Sequence, residues 1–112
     1  AMDMARFAAH YVHSHAPRIK DLHGPLGLRR VDSGEFLPNR NPLISSYPGC
    51  LGLKTGYISR SGYNIVLYAA RNGRQVIAVI LGIRADSAAA GREAQTLAGE
   101  RLLDYGFFLL QQ

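Results

Sequence analysis

The sequence predicts an α+β fold, an antiparallel sheet with flanking helices, and three observations carry that prediction. Two apolar, β-rich runs, Tyr63 to Arg71 and Gln75 to Gly82, are joined by Asn72-Gly73, a two-residue connection suited to a type I′ turn. Helical periodicity appears before these runs and again after them. The 112 residues, 47% of them hydrophobic, suffice for one modest core.

Taken in chain order, Phe7, Ala8, Tyr11 and Val12 recur at three- and four-residue spacing, which predicts a helix from Met4 with Asp3 as its N-cap. Pro17 is expected to end it, because proline lacks the amide hydrogen that the next helical turn needs. Residues 18 to 49 contain four prolines and four glycines between short apolar pairs, so loops and one short hairpin are expected there. Gly52 to Thr55 offers one further short strand. Both hairpin strands are apolar on successive residues, as central strands covered on two faces are. Asp86 or Ser87 can cap a last helix whose stripe is Ala90, Ala94, Leu97, Ala98, Leu102 and Tyr105, with Gly106 as its stop. That helix covers one sheet face and the first helix only part of the other, so the predicted sheet is incompletely covered.

Composition removes several function classes. The formal charge is +5, yet the eleven arginines are scattered and only Arg29 and Arg30 are adjacent, without the aromatic and basic interleaving that stacks bases. Nucleic-acid binding is therefore not expected. No run approaches a membrane span, and no secretion signal is visible. Cys50 is the one cysteine and lacks metal-ligand spacing, which suits a small buried apolar residue. His10, His13, His15 and His23 have no carboxylate or cysteine to complete a ligand set and read as surface histidines; Asp32 and Glu35 read as solvated loop acids. Neither a metal nor a cofactor is expected. No internal repeat is visible.

The chemistry-bearing stretch is Gly52-Leu53-Lys54-Thr55-Gly56. It is not a phosphate-binding loop, because Leu53 stands where that loop needs glycine and a strand, not a helix, follows. A lysine, a threonine and a glycine on a strand leading into a hairpin suit carboxylate recognition. The ammonium attracts an anion, the hydroxyl donates a hydrogen bond to it, and the glycine lets a substrate backbone approach. The same tripeptide resembles the K-T-G box of the penicillin-recognising serine hydrolases.

Further stretches extend the likeness: Met2-Asp3-Met4-Ala5, Asn39-Arg40-Asn41-Pro42-Leu43, Ser61-Gly62-Tyr63-Asn64, the Asn72-Gly73 turn, Val79-Ile80-Leu81-Gly82 and Leu102-Leu103-Asp104-Tyr105-Gly106-Phe107. In this order they resemble the C-terminal half of a low-molecular-mass penicillin-binding protein, the serine-type D-alanyl-D-alanine carboxypeptidase family. The resemblance implies a β-lactamase/transpeptidase-like fold, with residues 1–112 as the C-terminal part of its catalytic domain. It implies an enzyme that removes the terminal D-alanine of peptidoglycan stem peptides through an acyl-enzyme, that β-lactams acylate, and that works in the periplasm or on the outer face of the cytoplasmic membrane. By the same resemblance Lys54 is catalytic, near the nucleophile; Thr55 and Gly56 bind substrate, Thr55 at its terminal carboxylate. Arg40 assists with that carboxylate, and the Tyr57 backbone N–H forms half of the oxyanion hole. One departure is Ile58, where the family commonly has threonine.

Acyl transfer also needs a nucleophile and a base, supplied in the family by S-x-x-K and S-x-N. Neither pattern occurs in the chain: Lys20 and Lys54 follow Pro17 and Leu51 at three residues, and no serine precedes an asparagine at two. The chain alone is expected to be inactive, with the missing N-terminal half of the domain as its partner. The alternatives are a non-catalytic remnant that binds peptidoglycan peptides or β-lactams, and a class A β-lactamase or transpeptidase sibling. The Asn39-Arg40-Asn41 segment and the Leu102 to Phe107 ending favour the carboxypeptidase.

Overall fold

In the computed structural model, which describes residues 1–111, helix α1 spans Met2–His23 and continues past Pro17. The proline bends the helix rather than ending it. His15 leaves helical geometry at φ −126° and ψ 22°, and Pro17 then sits in the first turn of a second helical piece, where its missing N–H costs nothing. Asp3 lies inside the first turn, not at the cap, where its carboxylate favours the helix dipole. Ala8, Val12 and Ile19 are the buried positions of α1, whereas Phe7, expected on the same face, is exposed.

The proline-rich third forms a short antiparallel hairpin, β1 (Gly27–Arg29) with β2 (Phe36–Pro38), followed by the single-turn helix α2 (Leu43–Ser46). A three-stranded antiparallel sheet comes next: β3 (Cys50–Ile58), β4 (Gly62–Arg71) and β5 (Arg74–Ile83), in the order β3-β4-β5. Asn72 and Gly73 connect β4 to β5 at φ of 51° and 76°, the two left-handed residues that a type I′ turn requires. Helix α3 (Ala88–Leu110) closes the chain, with the Ser87 Oγ accepting from the Ala90 N–H at 3.1 Å as its cap. Gly106 lies within α3 and does not stop it.

Strand β4 is central and covered on both sides, as its unbroken apolar run predicts. Ile65, Leu67 and Ala69 point to one core with Leu43, Tyr47, Leu103 and Phe107, while Tyr68 packs with Val12 and Ile19 of α1. Strand β5 is not central: it pairs only with β4 among the described residues, and Leu81 on it is 50% exposed.

The buried face of α3 also differs from the predicted stripe. Gly91, Gln95, Gly99, Leu103 and Phe107 are buried, whereas Leu97, Leu102 and Tyr105 face outward. The glycines decide this. A Cβ on Gly99 would lie 2.7 Å from Leu67 and one on Gly106 2.5 Å from Val76, so bare backbone lets the helix settle directly on the sheet. A polar clamp fixes the far end of α3. The Tyr47 hydroxyl donates to Asp104 at 2.6 Å, and the Arg71 guanidinium lies 4.2 Å from the Tyr47 ring and 4.9 Å from that of Phe107. Among the described residues, no helix is long and apolar enough to cross a membrane.

Candidate functional site

Lys54, Thr55 and Gly56 lie on β3, which has β4 on one side and no strand on the other among the described residues. The register sets Lys54 opposite Val66 and Thr55 opposite Ile65, so the apolar centre of β4 supports the polar end of β3. Beyond Ile58 the hairpin mouth is fastened by side chains. Asn64 Oδ1 accepts from the Gly82 N–H at 2.9 Å, its Nδ2 donates to the Gly62 carbonyl at 3.0 Å, and its own carbonyl accepts from Gln95 of α3 at 3.0 Å. Arg84 donates to the carbonyls of Ser59 and Arg60 at 3.0 and 2.8 Å. The strand that carries the tripeptide is therefore held at its outer end, not left to fray.

The segment Asn39-Arg40-Asn41 reaches the same edge. Asn39 Nδ2 donates to the carbonyls of His23 and Pro25 at 2.9 and 2.8 Å, and its Oδ1 accepts from the Asn41 N–H at 2.9 Å. The buried Asn41 donates from Nδ2 to the Gly52 carbonyl at 3.1 Å and accepts from the Leu43 N–H at 3.0 Å. The two asparagines are thus brackets, and the exposed Arg40 between them is presented to the groove.

That groove, of about 490 Å³, brings together all five sequence-predicted site residues, Arg40, Lys54, Thr55, Gly56 and Tyr57. The Lys54 ammonium donates to the Thr55 carbonyl at 2.6 Å along the same edge. A Cβ on Gly56 would meet nothing within 4 Å, so this glycine keeps open space in front of the strand. The Tyr57 ring forms a wall stacked on Tyr63, centroids 4.3 Å apart, and Tyr63 in turn lies over Gly91, where a Cβ would come within 2.6 Å of its ring. A second hollow of about 460 Å³, apolar and lined by Met4, Phe7 and Tyr11 of α1, meets the groove at Lys54, Thr55 and Gly56.

Arg92, in the first turns of α3, also lines the groove and was not legible in the sequence. It is one of eleven scattered arginines with no motif around it, and only the packing of α3 against β4 and β5 carries it to the site. Three cations and a hydroxyl converging on a half-open cleft can attract and orient an anionic group. The lining contains no serine, cysteine, histidine or carboxylate, and the Lys54 ammonium bonds the main-chain carbonyl of Thr55, not its hydroxyl, so among the described residues no serine- or cysteine-type nucleophile with a base beside it stands in the groove. Cys50 is buried, with its thiol pushed up by burial, and stands outside the groove. His10, His13 and His15 are exposed along α1, and no three metal-ligating side chains converge among the described residues.

Residues 1–85 match the family described as D-alanyl-D-alanine carboxypeptidase. The chain is 37% identical over 71 residues to a D-alanyl-D-alanine carboxypeptidase of Streptomyces sp. strain K15, covering 63% of this chain and 22% of that protein. It is 37% identical over 90 residues to D-alanyl-D-alanine carboxypeptidase DacB2 of Mycobacterium tuberculosis, covering 79% of this chain and 30% of that one. Among solved structures, penicillin binding protein 5 from Haemophilus influenzae superposes with a TM-score of 0.74 at 29% identity, over 94% of this chain and 28% of that chain. Penicillin-binding protein D2 from Listeria monocytogenes, in its cefotaxime-bound form, superposes with a TM-score of 0.71 at 28% identity, over 89% of this chain and 37% of that chain. The chain spans between 16% and 30% of the length of the curated relatives it matches.

Proposed function

This chain belongs to the D-alanyl-D-alanine carboxypeptidase family, matched over its residues 1–85, and from that premise we propose that it is the C-terminal part of a serine-type D-Ala-D-Ala carboxypeptidase domain. Its part in the reaction is to bind and orient the C-terminal end of a peptidoglycan stem peptide. The observation that carries this reading is the convergence of Arg40, Lys54 and Thr55 on one groove beside an open strand edge.

The division of labour follows from the side chains. Thr55 donates its hydroxyl hydrogen to the terminal carboxylate, and Arg40 adds charge to the same group from the bracketed segment. Lys54 keeps positive charge next to the carbonyl under attack. The Tyr57 N–H stabilises the negative charge that develops on the carbonyl oxygen, a role that needs a fixed donor rather than a flexible one. The attacking serine and its partner lysine belong to a segment outside these residues. A β-lactam presents the same carboxylate beside a strained amide, so it occupies the same groove and acylates the same serine. Stem peptides lie outside the cytoplasmic membrane, and we place the activity in the periplasm or on that membrane's outer face.

Two hollows support the view that another part of the domain packs here. The apolar hollow beside α1 is unfilled, and a shallower one lies between Ile80 of β5 and Leu102 and Tyr105 of α3. The test is covalent labelling with fluorescent penicillin. The isolated chain is expected to take up none, whereas the complete gene product is labelled. In the complete protein, Thr55→Val is expected to slow acylation by about 10- to 100-fold, the range for one hydrogen bond to a charged group. Labelling of the isolated chain, or a Thr55→Val protein acylated at the wild-type rate, overturns the assignment.

A further inference from the structure

Two consecutive carbonyls precede Lys54 on the edge strand, and neither is left to solvent. Asn41 takes that of Gly52, and the imidazole of His23, at the end of α1, takes that of Leu53 at 2.9 Å through Nδ1. The other ring nitrogen, Nε2, lies 2.7 Å from the Tyr11 hydroxyl. A carbonyl can only accept, so Nδ1 carries the hydrogen, and in the neutral ring Nε2 accepts from the Tyr11 O–H. The ring is further held edge-on to Tyr11, 5.5 Å between centroids. The backbone carbonyl of the same histidine accepts from Asn39 at 2.9 Å. His23 therefore grips the residue before Lys54 with its side chain and the residue before Arg40 with its main chain.

We propose that His23 is a positioning residue, which together with the Asn41–Gly52 bond sets the distance between the two substrate-facing cations, Arg40 and Lys54, by tying both of their neighbours to the end of α1. The inference rests on the carboxylate-binding role given to this groove above. Arg40 arrives on a loop and Lys54 on a strand with one free side, and neither element by itself sets their spacing. Gly52 leaves room for this approach, because a Cβ there would stand a tight 3.2 Å from that of His23. The ring needs no charge for this task, since a neutral imidazole makes both bonds.

The test uses the complete protein, with acylation by fluorescent penicillin and thermal unfolding measured in parallel. His23→Phe keeps a ring but neither hydrogen bond; it is expected to reduce the second-order acylation rate by about five- to tenfold, with a modest fall in the melting temperature. His23→Asn, whose Nδ2 replaces Nδ1, is expected to recover most of the loss. His23→Gln, whose amide reaches only the Tyr11 side, is expected not to. Wild-type acylation in His23→Phe overturns the inference; if that variant does not fold, equal rates in His23→Asn and His23→Gln overturn it instead. Insensitivity of acylation to Thr55→Val is a different failure, of the functional reading itself.

Discussion

Tyr47 shows how one hydroxyl can be read in two ways, as packing and as a proton ledger. Burial first, and then the hydrogen bond to Asp104, push its ionisation up to about 12 from an ordinary value of 10.0. Because the folded value lies above the unfolded one, the stabilisation is complete below pH 10 and is lost as the pH rises toward 12. Tyr68, raised by burial, adds to the same slope. Tyr47→Phe is expected to cost about 1 kcal/mol at neutral pH, through the lost bond to Asp104, and to flatten the alkaline decline. Urea midpoints measured between pH 8 and pH 12 check both. An equally steep decline in Tyr47→Phe would assign it to another group. At this same scale the site was partly legible: Lys54 and Thr55 stand in a motif, and Arg40 stands in a resembling segment. Arg92 and His23 carry no local signature, because a lone arginine or histidine takes its surroundings from residues distant in the chain, as His23 does from Tyr11, Asn39 and Leu53.

Among the elements, the β4–β5 hairpin followed from sequence because every local signal agreed: β-branched runs, a left-handed Asn-Gly turn, and length. Helix α3 is a different case. Its leucines and alanines repeat at helical spacing and so mark a plausible buried stripe, yet the helix buries Gly91, Gln95 and Gly99 instead. Hydrophobic periodicity registers what a residue gains by leaving water; it is blind to a residue chosen because it has no side chain. Gly99→Leu is accordingly expected to destabilise the fold by about 1–3 kcal/mol or more, by driving a side chain into Leu67 and Leu43. Leu97→Ala, on the outward face, is expected to change the isolated chain by about 0.5 kcal/mol or less. Chemical denaturation of the two variants separates them, and the reverse order would restore the stripe drawn from periodicity. Pro17 misplaces the end of α1 for a related reason, since the rule that proline breaks a helix does not say whether a new helical piece starts there.

At the level of the whole molecule, large apolar side chains remain outside the core: Leu81 on β5, Leu97, Leu102 and Tyr105 on α3, and Phe7 on α1. Together with a sheet that is one strand wide on either side of β4, they describe a surface still waiting for cover. The isolated chain is expected to self-associate at physiological salt, and a monodisperse monomer in light scattering would contradict this. The free side of β5 has a kinetic corollary as well. Should another part of the domain zip onto that seam, stretches far apart in the chain become neighbours. That long-range contact then cannot form until the ribosome has delivered β5, so the edge that carries Lys54 and Thr55 has no complete sheet behind it before then.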